Sequence, residues 1–211
     1  MKAVFLSASV PLPGRHERYY STSDVIAIRD AVRALATVVL PHAELHWGGH
    51  PSITPLIRVV AQDVGVTDAA HVYLYQSAFF SKTLPSDNAA FERYILTNEA
   101  PVGNATRADS LAAMRQTMIG ATQFDAGIFI GGMEGVEEEF DLFRQLNPNA
   151  VLLPIASTGA AAQFIYERER QALDLPADLQ TEYSYPTLFR RLIGLPDGGG
   201  AHRTGPPAQR N

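Results

Sequence analysis

Short unbroken apolar runs alternate along the chain with stretches whose apolar residues return every third or fourth position. Ala3–Ser7, His71–Gln76, Ala126–Ile130 and Val151–Ala156 are rich in Val, Ile, Leu, Phe and Tyr; a weaker run, Ala43–Trp47, ends in Gly48-Gly49. Strands apolar on both faces belong in a parallel sheet covered by helices on both sides. Between the strands, Val25, Ile28, Val32, Leu35 and Val39 repeat at helical spacing behind the capping pair Ser23-Asp24. The same periodicity predicts helices over Ser52–Val64, Ser110–Thr122, Glu134–Leu146, Ala160–Leu173 and Thr187–Ile193. The predicted fold class is therefore α/β, a doubly wound, mostly parallel sheet with helices on both faces.

One domain is expected over residues 1–195; residues 196–211 lose all apolar periodicity and read as a disordered tail. Ser77–Asp109 is the least regular stretch, with Pro85, Asp87-Asn88 and Pro101-Val-Gly-Asn104. Irregular insertions after a strand of an open α/β sheet lie beside the ligand crevice, so a mobile part of the site is expected there.

Composition narrows the chemistry. The chain has 211 residues and no cysteine, which excludes disulfides, thiolate metal sites and a cysteine nucleophile. A formal charge of −5 argues against nucleic acid or an anionic membrane as partner. No stretch approaches the ~20 apolar residues of a membrane span, and the N-terminal apolar run is short for a signal peptide, so a cytoplasmic protein is expected. His42, His46 and His50 recur every fourth residue, but on a strand that ends in Gly-Gly this spacing scatters them. No metal or cofactor site is expected.

Candidate chemistry collects at predicted strand ends. Strand, glycine pair and helix occur in succession at Gly48-Gly49-His50 and again at Gly131-Gly132-Met133-Glu134-Gly135-Val136. Glycine lets backbone N–H groups approach a ligand, and the first N–H groups of a helix attract anions. Ser7 and Ser9 close the first strand, and Ser157, Thr158 and Gly159 the last, so four strand ends place small or hydroxyl groups on one rim. No Gly-Lys-Ser/Thr follows either glycine pair, the glycine spacing is wrong for a dinucleotide fingerprint, and no serine-hydrolase elbow is present. Glu137, Glu138 and Glu139 fall in the first turns of the next helix, about 100° apart, so one is expected to face the crevice while another faces water. A carboxylate there suits a ribose hydroxyl or a glycosidic centre gaining positive charge.

The stretches "FLSASVP", "WGGHPSITPLI", "MRQTMI" and "GGMEGVEEEF" resemble, in order and spacing, the SLOG superfamily over roughly residues 1–195. That group includes the LOG phosphoribohydrolases, DprA-like proteins and nucleotide-sensing domains of bacterial conflict systems. The resemblance implies a Rossmann-like fold whose crevice takes a nucleotide-derived ligand. LOG enzymes carry P-G-G-x-G-T-x-x-E and an upstream arginine. Gly131 and Gly132 match the glycine pair, Gly135 the later glycine, Glu139 the acid and Arg115 the arginine. Ile130 replaces the proline, Met133-Glu134 inserts one residue, Val136 replaces the threonine, and Gly48-Gly-His-Pro-Ser52 departs from the second LOG loop. These departures point to a sensor of an ADP-ribose-like or cyclic nucleotide in an antiviral conflict system. The alternative is a phosphoribohydrolase in which Arg115 and Glu139 act on the N-glycosidic bond. A homo-oligomer and a separate effector protein are the expected partners.

Overall fold

A computed structural model describes residues 1–14, 16–65, 71–83, 88, 91, 93–97 and 106–196. Six strands form one parallel sheet in the order β4-β3-β2-β1-β5-β6: β1 (Lys2–Ser9), β2 (Ala43–Gly48), β3 (Val72–Ser77), β4 (Arg93–Thr97), β5 (Ala126–Gly131) and β6 (Val151–Ile155). The chain thus leaves the centre through β2, β3 and β4 and returns to the other side of β1 to lay down β5 and β6. That reversal opens a crevice beyond the carboxyl ends of β1 and β5, where open α/β sheets take their ligands.

Helices cover both faces. α2 (Val25–Val39), α3 (Thr54–Asp63) and α8 (Tyr185–Ile193) pack with Val4, Leu6, Ile128 and Ile130 on one side. α4 (Arg107–Ile119), α5 (Glu134–Leu146) and α6 (Ala160–Glu169) pack with Phe5 and Phe129 on the other. Alternation along β1 sends Val4 and Leu6 one way and Ala3, Phe5 and Ser7 the other, so a β1 side chain reaches α5 directly. On the second face Phe5 stacks on Phe143 at 5.1 Å and meets Phe129 edge-on at 6.1 Å. Each such fully buried side chain contributes roughly 1.5–3 kcal/mol by leaving water. This aromatic layer anchors the C-terminal half of α5 to the sheet.

The remaining helices are short: α1 (Glu17–Tyr20) in the β1–α2 connection and α7 (Asp178–Thr181) before α8. The fold class is the one the apolar pattern predicts, and all five expected strands are present. The sixth, β4, lies inside the segment read as irregular. At the sheet edge its pattern is exposed at Arg93 and Leu96 and buried at Thr97, which leaves little of the apolar run that marks its neighbours. Much of the rest of Ser77–Asp109 and the predicted tail beyond residue 196 lie outside the described residues. Among those residues, no helix is long and apolar enough to cross a membrane.

Candidate functional site

A cavity of about 310 Å³ lies over the carboxyl ends of β2, β1 and β5. Ser7 and Ser9 enter from β1, Gly48, Gly49 and His50 from the end of β2, and Met133, Glu134, Gly135, Val136 and Glu139 from the start of α5. α4 forms the outer wall with Arg107, Leu111, Met114 and Arg115, residues spaced to share one helical face. His16 from the β1–α1 connection sits at the rim, its ring pairing with Glu134 at 2.8 Å. Helix α4 is placed by a capping box in which Thr106 accepts from the Asp109 N–H while Asp109 accepts from the Thr106 N–H.

The centre of the cavity is a buried acid. Ser7 Oγ donates to Glu139 Oε2 at 2.5 Å, and Arg115 Nε donates to Glu139 Oε1 at 3.3 Å. Only 14% of the Glu139 side chain is exposed, and burial pushes its carboxyl above the ordinary range against the opposing pull of Ser7 and Arg115. Arg115 also pairs with Glu138 through Nη1. The three glutamates thus diverge as their helical spacing requires. Glu139 turns to the cavity, Glu138 meets Arg115 near its edge, and Glu137 accepts from Tyr19 on α1.

Positive potential comes from two further sources. Arg107 has no carboxylate partner among the described residues; its guanidinium lies 5.7 Å from the Phe80 ring. The N–H groups of Glu134 and Gly135 have no acceptor among the described residues, whereas those of Val136 and Glu137 bond to Met133. An anion at the start of α5 would meet these amides and the positive end of the helix dipole.

The glycines divide by role. Gly131 and Gly132 stand just beneath the cavity without lining it. Gly132 has φ +87, and a Cβ there would fall 2.2 Å from Val136 Cγ2; Gly131 has φ +56, and its Cβ would meet Ile28. The turn itself therefore requires this pair. At Gly135, by contrast, a Cβ would meet only the end of Arg115, at 2.9 Å. That glycine gives the guanidinium its place.

Ser157, Thr158 and Gly159, expected on the same rim, do not line the cavity. They follow β6, one strand beyond β5, and serve the framework. Thr158 Oγ1 accepts from Gly131 N at 2.9 Å, Ser157 bonds to the Tyr185 hydroxyl, and Gly159 at φ +70 leaves no room for a Cβ beside Thr22. Thr158 thus fixes the glycine turn from behind.

Sequence reasoning missed His16, Arg107, Leu111 and Met114. The last three carried a signal: with Arg115 they repeat at helical spacing behind the pattern Thr106-x-x-Asp109, which marks a helix start three residues before Ser110. Among the described residues no three His, Asp or Glu side chains come together as a metal site. His46 is buried on the sheet face that α4 and α5 cover, stacked on Tyr73 at 4.0 Å and edge-on to Phe124.

No curated protein matches the chain. The model of the SLOG cluster3 family matches residues 18–193, a span that holds every strand except β1 and includes Arg115, the glycine turn and Glu139. The chain belongs to the SLOG cluster3 family.

Proposed function

We propose that this cavity binds a nucleotide-derived signal, of the ADP-ribose-like or cyclic nucleotide kind, and that the protein is a sensor within an antiviral conflict system. The observation that carries the reading is one half-open cavity that joins Arg107 and helix N-terminal amides, neither with a hydrogen-bond or carboxylate partner among the described residues, to a buried hydroxyl–carboxylate–guanidinium set. Phosphate suits the amides, Arg107 and Arg115 Nη2, which stands beside Gly135; ribose hydroxyls suit Glu139, Ser7 and Ser9. A volume of about 310 Å³ is at the small end of the roughly 300–1,000 Å³ typical of ligand sites. Membership of a SLOG family supports a nucleotide-related role.

A second reading, an N-glycosidic phosphoribohydrolase, draws on Glu139. A carboxyl with a raised pKa beside an arginine is a common catalytic arrangement. Against it, Met133-Glu134 inserts a residue into the LOG pattern and Val136 replaces its threonine, at the turn that leads to Glu139. Binding is therefore the leading reading. Self-association or a separate effector protein would carry the signal onward.

The test is calorimetry against nucleoside monophosphates, ADP-ribose and cyclic nucleotides, with chromatography of the mixture after incubation. Saturable binding with the nucleotide recovered intact is expected. Release of free base, abolished by Glu139→Gln, would establish the hydrolase instead.

A further inference from the structure

His50 is held in one tautomer. Its Nδ1 lies 3.2 Å from the backbone N of Ser52 and 2.7 Å from Ser52 Oγ. A backbone N–H can only donate, so Nδ1 must present a lone pair, and the proton of the neutral ring is on Nε2. The rest of the residue is equally constrained. Its N–H donates to Thr54 Oγ1 at 3.2 Å, and its carbonyl accepts from Ile53 and Thr54 at 3.0 and 2.9 Å, at the entry to α3. Among the described residues Nε2 has no hydrogen-bond partner, yet it is absent from the buried unsatisfied groups, so it stays accessible on a residue that lines the cavity.

A helix-entry turn needs only the acceptor. Ser, Thr, Asn or Asp provides one at this kind of position, with a smaller side chain. Histidine adds a second group on the far side of the ring, a donor aimed by the turn. We propose that His50 is a specificity-determining residue that donates from Nε2 to a neutral acceptor, a ring nitrogen or carbonyl, on the base of the bound nucleotide. This rests on the reading of the cavity as a nucleotide site and adds which end takes the base.

The strand order supports that polarity. His50 follows β2, while the free amides of Glu134 and Gly135 follow β5, with β1 between them. The two ends are therefore two strand spacings apart, about 10 Å. Beside His50 the wall is Gly48 backbone with Met114 packed over it, its Cε 3.2 Å from where a Gly48 Cβ would stand. Met114 and Leu111 make that side of the cavity apolar. Burial also holds the His50 ring below its ordinary pKa, which keeps it neutral and a poor phosphate partner. One end thus suits an uncharged base and the other an anion.

Calorimetry of the full chain with AMP, GMP, CMP, UMP and ribose 5-phosphate tests this, using wild type, His50→Phe and His50→Ser. Serine preserves an acceptor for the Ser52 N–H and lacks the Nε2 donor, so its melting temperature is expected near wild type even where His50→Phe unfolds. The preferred monophosphate should bind His50→Ser about tenfold more weakly, the loss of one hydrogen bond, with ribose 5-phosphate unaffected. Equal weakening of both probes, or of neither, overturns the base-reading role while leaving nucleotide binding in place. Failure of every probe to bind wild type, with ADP-ribose and cyclic AMP and GMP included in the panel, overturns the nucleotide reading and this role with it. Independently of any ligand, ¹⁵N NMR of the wild-type ring should show Nε2 protonated; a protonated Nδ1 refutes the proposal.

Discussion

Replacing Gly132 and Gly135 separately by alanine divides the architecture of the turn from the chemistry of the cavity. At Gly132 the backbone stands at φ +87, and an added methyl would fall 2.2 Å from Val136 Cγ2 and 2.7 Å from its Cβ. Backbone strain costs about 1–3 kcal/mol and overpacking about 1–3 more. The loss is a large part of the ~5–15 kcal/mol by which a domain is stable. Gly135 lies in the first turns of α5, and there alanine is the better helix former by up to about 1 kcal/mol. Its methyl would meet only Arg115 Nη2, at 2.9 Å, the mobile end of a long side chain. The Arg115–Glu138 pair, with a Glu138 side chain 61% exposed, contributes ~0–1 kcal/mol, so Gly135→Ala should stay within about 1 kcal/mol of wild type. Binding should respond in the opposite order. Moving the guanidinium forfeits a charge-assisted contact of ~1.5–3 kcal/mol, roughly a 10- to 150-fold weaker nucleotide. Urea unfolding followed by circular dichroism gives the stabilities, and calorimetry with the tightest nucleotide gives the affinities. A Gly132→Ala protein as stable as wild type, or a Gly135→Ala protein that loses more than ~2 kcal/mol, would refute this division of roles.

Three further substitutions probe the buried acid and the helix that faces it. Ser7→Ala removes the donor to Glu139 Oε2 and should cost ~1–3 kcal/mol in urea unfolding at neutral pH, less in acid as the carboxyl takes up its proton. Because burial raises the folded-state pKa of Glu139, the native state binds the proton more tightly than the unfolded chain. Stability from this group is present below the unfolded pKa and lost as pH rises through the folded one, so Glu139→Gln should flatten that decline in unfolding curves taken across the range. Asp109 has the opposite sign: its hydrogen bonds from Thr106 lower its pKa, so Asp109→Asn should lower the melting temperature above the unfolded carboxylate pKa and converge with wild type below the folded one.

Much of this architecture is legible in the sequence because burial on both faces writes unbroken apolar runs. β5 is the clearest case, with all six residues buried. β4 is the counterexample: half-exposed at the edge, Arg93–Thr97 carries too little apolar signal to stand out from the irregular residues around it. The site follows the same logic. Ser7, Ser9, Gly48–His50, Met133, Gly135 and Val136 are identifiable because they cluster at strand ends, Arg115 and Glu139 because they match the LOG pattern, and the fold brings them to one cavity. What the sequence could not separate is a hydroxyl or glycine facing a ligand from one holding the frame. Ser157, Thr158, Gly159, Gly131 and Gly132 share the composition of a binding rim, yet their contacts go to Tyr185, Gly131, Thr22, Ile28 and Val136. Only the direction of each backbone carbon tells the two uses apart. His50 shows the converse, since its turn contacts define which ring nitrogen is left for the cavity.

The most direct test of the central claim is calorimetric titration of the wild-type chain and Arg115→Ala with the nucleotide panel. Saturable binding of at least one nucleotide by wild type, weakened tenfold or more by Arg115→Ala with the nucleotide recovered unchanged, is the predicted result. Binding by neither protein, or equal binding by both, would contradict it.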